Sequence, residues 1–205
     1  MRSPITLLML FAVFVVSVAI DARAASKAEA KKAVKTADAK AGERKAQLCL
    51  ACHRPDNGMA LVPLLEGQPA RYLYDQMKAY KDRRRLDPTT NMQINTASLS
   101  DRDMRDIAQY FSVRPTVREA HRVDPQKAAT GKAKAEAANC AVCHGAKGKQ
   151  NVPDISGQRP IYIVRQLEAF SSGKRAHGSG PMAAPPLNLS PEDAESLAHY
   201  YAQGE

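Results

Sequence analysis

Two stretches of this chain place apolar residues at helical spacing, and each returns about 90 residues later. Leu73, Met77 and Tyr80 fall at i, i+4 and i+7, and Ile163, Leu167 and Phe170 repeat them. Met104, Ile107, Ala108 and Phe111 form a second stripe, echoed by Ala194, Leu197, Ala198 and Tyr201. This period predicts amphipathic helices whose apolar faces make core. The last helix of each set also carries a start signal. Ser100 is followed three residues on by Asp103, the pattern of a capping box, and Ser190 is followed by Pro191 at the first helical position. Ala- and Lys-rich stretches at about 38–52 and 127–143 predict one further helix in each set. No segment alternates as a strand would, so the expected fold class is all-α.

The repetition extends beyond the stripes. Shifted by 90 residues, segment 63–111 aligns on its counterpart without a gap and shows 13 identities, where about three would arise by chance. Pro63, Gly67-Gln68, Tyr72, Gln76, Ala79, Arg85 and Met92 meet Pro153, Gly157-Gln158, Tyr162, Gln166, Ala169, Arg175 and Met182. Leu99-Ser100, Asp103, Ala108 and Tyr110 meet Leu189-Ser190, Asp193, Ala198 and Tyr200. One module is written twice. Between the copies, residues 113–126 hold Pro115 and Pro125 and little apolar periodicity, as a linker does.

The N-terminus reads differently. Arg2 precedes an uncharged, mostly apolar run from Ile5 to Ile20, and Ala22-Arg23-Ala24 supplies a small–x–small cleavage pattern. The run falls short of the roughly 20 apolar residues a membrane span needs. A secretory signal at 1–24, cut after Ala24 or Ala25, is favoured over an uncleaved anchor. The expected organisation is that signal, an Ala/Lys-rich arm at 25–40, a first domain at 41–112, the linker at 113–126 and a second domain at 127–205. Cleavage removes one net positive charge from the formal +9. The surface that remains is basic and suits an acidic docking partner or an anionic membrane surface. Nucleic acid is not expected of an exported chain without interleaved aromatic and basic residues.

With no Trp and 5% aromatic residues, each half has little of its own to build a core. The cysteines supply the explanation. All four lie in Cys49-Leu50-Ala51-Cys52-His53 and Cys140-Ala141-Val142-Cys143-His144. C-x-x-C-H is the attachment signature of a c-type haem. About one helical turn separates the two sulfurs, so both can bond the vinyl groups of one porphyrin, and His53 or His144 is then held beneath the iron. A thioredoxin-like dithiol would follow a strand, and neither copy does. A zinc ribbon would place its two pairs some 15–20 residues apart, and a labile disulfide gives no reason for the histidine. Two covalently bound haem c groups are expected, each filling the core of one half.

The iron's other face is read from the alignment. Of seven methionines, Met92 and Met182 alone occupy matching positions, each in a stretch rich in Pro, Thr, Gly and Asn ahead of the final helix. A loop there would bring a thioether over the distal face. Met77 and Met104 sit in the apolar stripes and read as packing, and Met59 is too near His53 in sequence to reach across. His177 aligns with Asp87, His199 with Gln109, and His121 lies in the linker, so none is expected to ligate. A carbonyl near Pro63 or Pro153 could accept the proximal ring N–H and fix its tautomer. The segments before the two methionines both sum to +2, through Lys81, Arg83, Arg84 and Arg85 against Asp82 and Asp87 in one and Lys174 and Arg175 in the other.

Taken together, the paired motifs, the Gly-Gln…Tyr…Gln helix, the Arg-containing loop before each Met and the Leu-Ser-x-x-Asp final helix resemble the dihaem cytochrome c4 family. Each half is similar to a class I cytochrome c, over about residues 40–204. The resemblance implies two tandem all-α domains about a pseudo-twofold axis, with haem edges near their interface. It also implies a periplasmic shuttle from a quinol-oxidising complex to a terminal oxidase or reductase. The long arm at 26–40, and Arg54 where the second copy has Gly145, depart from the pattern. On this reading the protein is an electron carrier and not an enzyme. The alternatives are a haem subunit docked on a dehydrogenase, and a dihaem peroxidase, which the matched methionines disfavour.

Overall fold

Residues 37–144, 151–175, 182 and 189–204 are described here from a computed structural model, and no strand occurs among them. The first half contains α1 (Ala39–Lys45), α2 (Gln47–His53), α3 (Ala70–Lys81), α4 (Asn91–Ala97) and α5 (Asp101–Ser112). The second contains α6 (Pro125–Ala137), α7 (Ala141–His144), α8 (Pro160–Ser171) and α9 (Pro191–Ala202). Among the described residues no helix is long and apolar enough to cross a membrane. The expected N-terminal signal and most of the expected arm lie outside them.

The predicted stripes are core. Leu73, Met77 and Tyr80 on α3 and Met104, Ile107, Ala108 and Phe111 on α5 are buried. In the second half Ile163, Phe170, Ala194, Leu197, Ala198 and Tyr201 are buried, and Leu167 packs partly exposed against the same cluster. Both final helices start as their sequences specify. Ser100 and Ser190 accept from the N–H of Asp103 and Asp193, whose carboxylates accept in return from the serine N–H groups.

The long first helix expected in each half is broken instead. In the first half the break falls at Ala46, between α1 and α2. In the second, Asn139 turns left-handed at φ 53° and the chain re-enters helix only at Ala141. Two glycines show why the breaks differ. A Cβ on Gly42 would lie 2.0 Å from the Asp106 carbonyl oxygen, and one on Gly131 would lie 1.9 Å from that of Ser196. Each glycine is therefore where the first helix crosses the last at backbone contact. Gly42 stands seven residues before Cys49, but Gly131 stands nine before Cys140. The second copy must absorb two extra residues between crossing point and haem motif, and the turn at Asn139 does so.

α3 and α8 also end alike, with Arg83 at φ 56° and Gly173 at φ 70° in matching left-handed positions. Beyond them the backbones of Arg85 and Arg175 pair antiparallel, one from each half. The residues from Asp38 onward form one compact body. Its seam is reciprocal, as a twofold interface must be. Gln68 donates to the Asp154 carbonyl (2.6 Å) and accepts from the Asp154 N–H (3.1 Å). Gln158 does the same to Leu64, at 3.1 and 2.9 Å. The glycines before these glutamines, at φ 75° and 69°, give their N–H groups to the C-terminal carbonyls of α5 and α9, Phe111 and Tyr201. They also leave space for the linker, since a Cβ on Gly67 would meet Thr116 and one on Gly157 would meet Arg118.

Candidate haem sites

Each attachment motif ends a helix, so its histidine is presented at a helix terminus with one cysteine a turn before it and the other immediately before it. In the first half α2 carries Cys49, Cys52 and His53. In the second Cys140 precedes the single turn of α7, and its carbonyl accepts from the N–H groups of Cys143 (3.2 Å) and His144 (3.0 Å). None of the four cysteines is taken up in a disulfide. Burial pushes the Cys49 and Cys140 thiols up from their ordinary value. A reactive dithiol requires the opposite shift.

His53 and His144 share one arrangement. The Nδ1–H of His53 donates to the Pro63 carbonyl oxygen at 2.9 Å, and that of His144 to Pro153 at 3.0 Å. A carbonyl can only accept, so the proton is on Nδ1 and the Nε2 lone pair is left for a metal. Burial is the largest influence on both rings and lowers them below the ordinary histidine value. Both are thus neutral, as ligation requires. The carbonyl acceptor near each proline that the sequence pointed to is the proline's own.

Met92 does not sit in a loop, as its composition implied, but in the first turn of α4. That short helix has no apolar stripe to reveal it; its entry is set by polar groups. Thr90 adopts φ 61°, and the Asp87 carboxylate accepts from the N–H of Met92 (3.3 Å) and from the Thr89 hydroxyl (2.6 Å). The buried Thr96 hydroxyl donates to the Met92 carbonyl at 2.7 Å. Met92 is therefore held at both backbone ends, with its side chain partly exposed. Met182 is also partly exposed, in a segment described at that residue alone. Of the rival histidines, His199 accepts from the Asp124 N–H (3.1 Å) at the start of α6, and His121 lies half-buried in the linker. His177 lies outside the described residues.

Between the two sites run two buried guanidinium groups. Arg85 donates to Gln76 of its own half (2.7 Å) and to Tyr162 (3.1 Å) and Gln166 (2.8 Å) of the other. Arg175 donates to its own Gln166 (2.6 Å) and across to Tyr72 (3.2 Å) and Gln76 (3.1 Å). Each also stacks on an aromatic ring of its own half, Tyr80 or Phe170, at 4.6 Å. Burial would raise the Tyr162 phenol, but the two arginines outweigh it and hold it below its ordinary value. Although these arginines belong to the basic segments before the two methionines, they are 6% and 7% exposed and add nothing to a basic surface. Among the described residues neither has a carboxylate partner. Buried cations of this kind call for anions, and a porphyrin carries two carboxylates. With two neutral imidazoles, thiols at the right spacing and unpaired cations alongside, the residues fit a haem in each half.

The seam residues were visible in the sequence but not understood. Gln68, Tyr72 and Gln76, with Gln158, Tyr162 and Gln166, are polar identities at four-residue intervals. A polar face kept in both copies, beside the apolar stripe, is the mark of a self-complementary contact.

Fold and sites together define a tandem c-type cytochrome. The cytochrome c family profile matches residues 25–112 and again 128–204. The cytochrome c4 of Azotobacter vinelandii is 33% identical over 189 residues, covering 80% of this chain and 87% of its own. The structure of reduced recombinant cytochrome c4 from Pseudomonas stutzeri matches with a TM-score of 0.72 at 28% identity, over 82% of this chain and 99% of that one. A thiosulfate dehydrogenase from Marichromatium purpuratum matches at 0.68 and 26% identity, over 80% of this chain and 40% of its own. This chain belongs to the cytochrome c4 family: it is a dihaem electron carrier with two covalently bound haem c groups.

Proposed function

We propose that this protein is a periplasmic shuttle, exported by its N-terminal signal, that takes electrons from a quinol-oxidising complex to a terminal oxidase or reductase and catalyses no reaction of its own. Cys49 and Cys52 hold one haem and Cys140 and Cys143 the other. His53 with Met92, and His144 with Met182, would hold the two irons. The bound iron supplies reversible one-electron exchange. The chain's own residues do the rest. Pro63 and Pro153 fix the His53 and His144 rings, Asp87 and Thr96 hold Met92 in place, and Arg85 and Arg175 would supply positive charge to the carboxylates of a bound porphyrin.

The observation that supports a carrier over an enzyme is the likeness of the two proximal sites combined with matched methionines. Neither half is then left with an open iron position for peroxide. Met182→Ala tests this. It opens the second iron to cyanide or carbon monoxide and removes about half of the far-red sulfur-to-iron absorption of the oxidised protein, on a count of one site in two. Full retention of that absorption in both Met92→Ala and Met182→Ala contradicts the ligand assignment.

A second reading, a haem subunit bound to a dehydrogenase, is supported by the likeness to a thiosulfate dehydrogenase chain more than twice as long as the matched part. Purification of the native protein decides between them, since a subunit leaves the column with a larger catalytic chain and a free carrier leaves alone. The docking face is basic in both readings. The exposed charges near the Arg85–Arg175 pairing are Arg83, Arg84 and Lys174 together with Asp82, which pairs with Arg84 at 3.2 Å, and their positive excess suits an acidic partner.

A further inference from the structure

One ion pair breaks the symmetry of the seam. Arg159, 2% exposed at the entry to α8, reaches from the second half into the loop that follows the first haem motif. Its Nε donates to Glu119 Oε2 (3.0 Å) and its Nη2 to Glu119 Oε1 (2.5 Å), in a two-pronged pair with the linker. Its remaining N–H groups go to the carbonyls of Met59 (2.8 Å), Val62 (2.9 Å) and Arg54 (3.4 Å). All five donors of the guanidinium are thereby used. Glu119 Oε1 also accepts from the Asp56 N–H at 3.3 Å.

Every backbone group in this set lies between His53 and Pro63, the segment that ends in the carbonyl holding the His53 ring. The segment needs holding, because Asp56 and Gly58 are both left-handed, at φ 65° and 68°. In the repeat alignment Pro69 occupies the position of Arg159. Proline has no side-chain donor, so position 69 cannot supply the same arm to the other half.

We infer that Arg159 and Glu119 are positioning residues for the first haem: the second half and the linker jointly fix the loop that orients His53 and place a buried, two-pronged pair of charges beside it. This rests on the reading of His53 as an iron ligand. The pair sets the first haem's reduction potential through its balance of charge. Removing one member leaves the other's charge uncompensated in a buried site.

The test is a redox titration of holoprotein variants, with each wave assigned to its half by the hyperfine-shifted haem-methyl signals of the oxidised protein. Arg159→Gln leaves the carboxylate and lowers the potential of the first haem. Glu119→Gln leaves the guanidinium and raises it. The double variant returns toward the parent, and the second haem's wave stays in place throughout. Arg159→Lys keeps the charge but not the fork, so it holds the potential near the parent value while amide exchange in residues 54–62 accelerates. Shifts of the same sign in the two single variants, equal movement of both waves, or no movement overturns the inference. Should Arg159→Gln fail to fold, Glu119→Gln and Arg159→Lys decide it, Glu119 being 20% exposed. Failure of the underlying reading shows separately, as the absence of hyperfine shifts on the His53 ring in the parent protein.

Discussion

His53 can offer Nε2 to a metal because Pro63 has already engaged its other nitrogen, and this division of one ring between two tasks was legible as spacing alone. The side chains that hold Met92 were not. Asp87 and Thr96 act on the backbone of a residue five and four positions away, and nothing in their order distinguishes them from ordinary loop and helix polar residues. The same holds for Asp106, a carboxylate 2% exposed on α5 where that helix meets α1. It accepts from the Asp38 N–H (3.0 Å) and from Lys45 (2.7 Å), which also pairs with Asp103 at 2.7 Å. Burial alone would raise Asp106, but those donors outweigh it and hold it below its ordinary 3.8. A depressed carboxylate stabilises the fold fully above its ordinary value, and that contribution is lost as pH falls from there through the depressed one. Asp106→Asn therefore costs about 2 kcal/mol at neutral pH, and the difference from the parent narrows below pH 3.8. Denaturant unfolding of the first half's haem absorbance at the two pH values measures it, and a penalty that does not change with pH contradicts this account.

At the scale of elements, periodicity and caps fixed α3, α5, α8 and α9 because each carries its own evidence: a stripe, a start signal, or both. α4 has neither, at seven residues, and the sequence showed a loop. The broken first helices were missed for another reason. Alanine and lysine favour helix at every position, so propensity could not locate a break that tertiary packing imposes. The glycine contacts could have been sought, since Gly42 and Gly131 stand inside otherwise good helix formers. Their role is testable. Gly131→Ala drives a methyl into the Ser196 carbonyl, where backbone on both sides prevents retreat. It should destabilise the second half by about 2–3 kcal/mol, against the gain of several tenths that alanine gives in an exposed helix. Thermal unfolding of the holoprotein shows which effect wins, and a neutral or stabilised variant means the two helices do not cross there.

At the scale of the molecule, duplication did more than give two haem sites. Polar identities kept in both copies became a reciprocal seam, in which glutamines clamp the opposite backbone and two arginines cross between the halves. Electron exchange between two haems benefits from such a joint, because it keeps both sites in one body. Departures from the repeat then make the sites unequal. Arg159 stands where the other copy has Pro69, and Asp87 where it has His177, so the copies differ in charge and hydrogen-bonding capacity, and reduction potential follows those features. A spectroelectrochemical titration of the purified holoprotein tests this most directly, since it counts haems, ligand types and potentials together. The account predicts two haems per chain, both carrying the far-red sulfur-to-iron absorption when oxidised, reduced in two one-electron steps of different potential. A single wave fitted by two identical sites, or an oxidised spectrum in which one haem lacks that absorption, would contradict it.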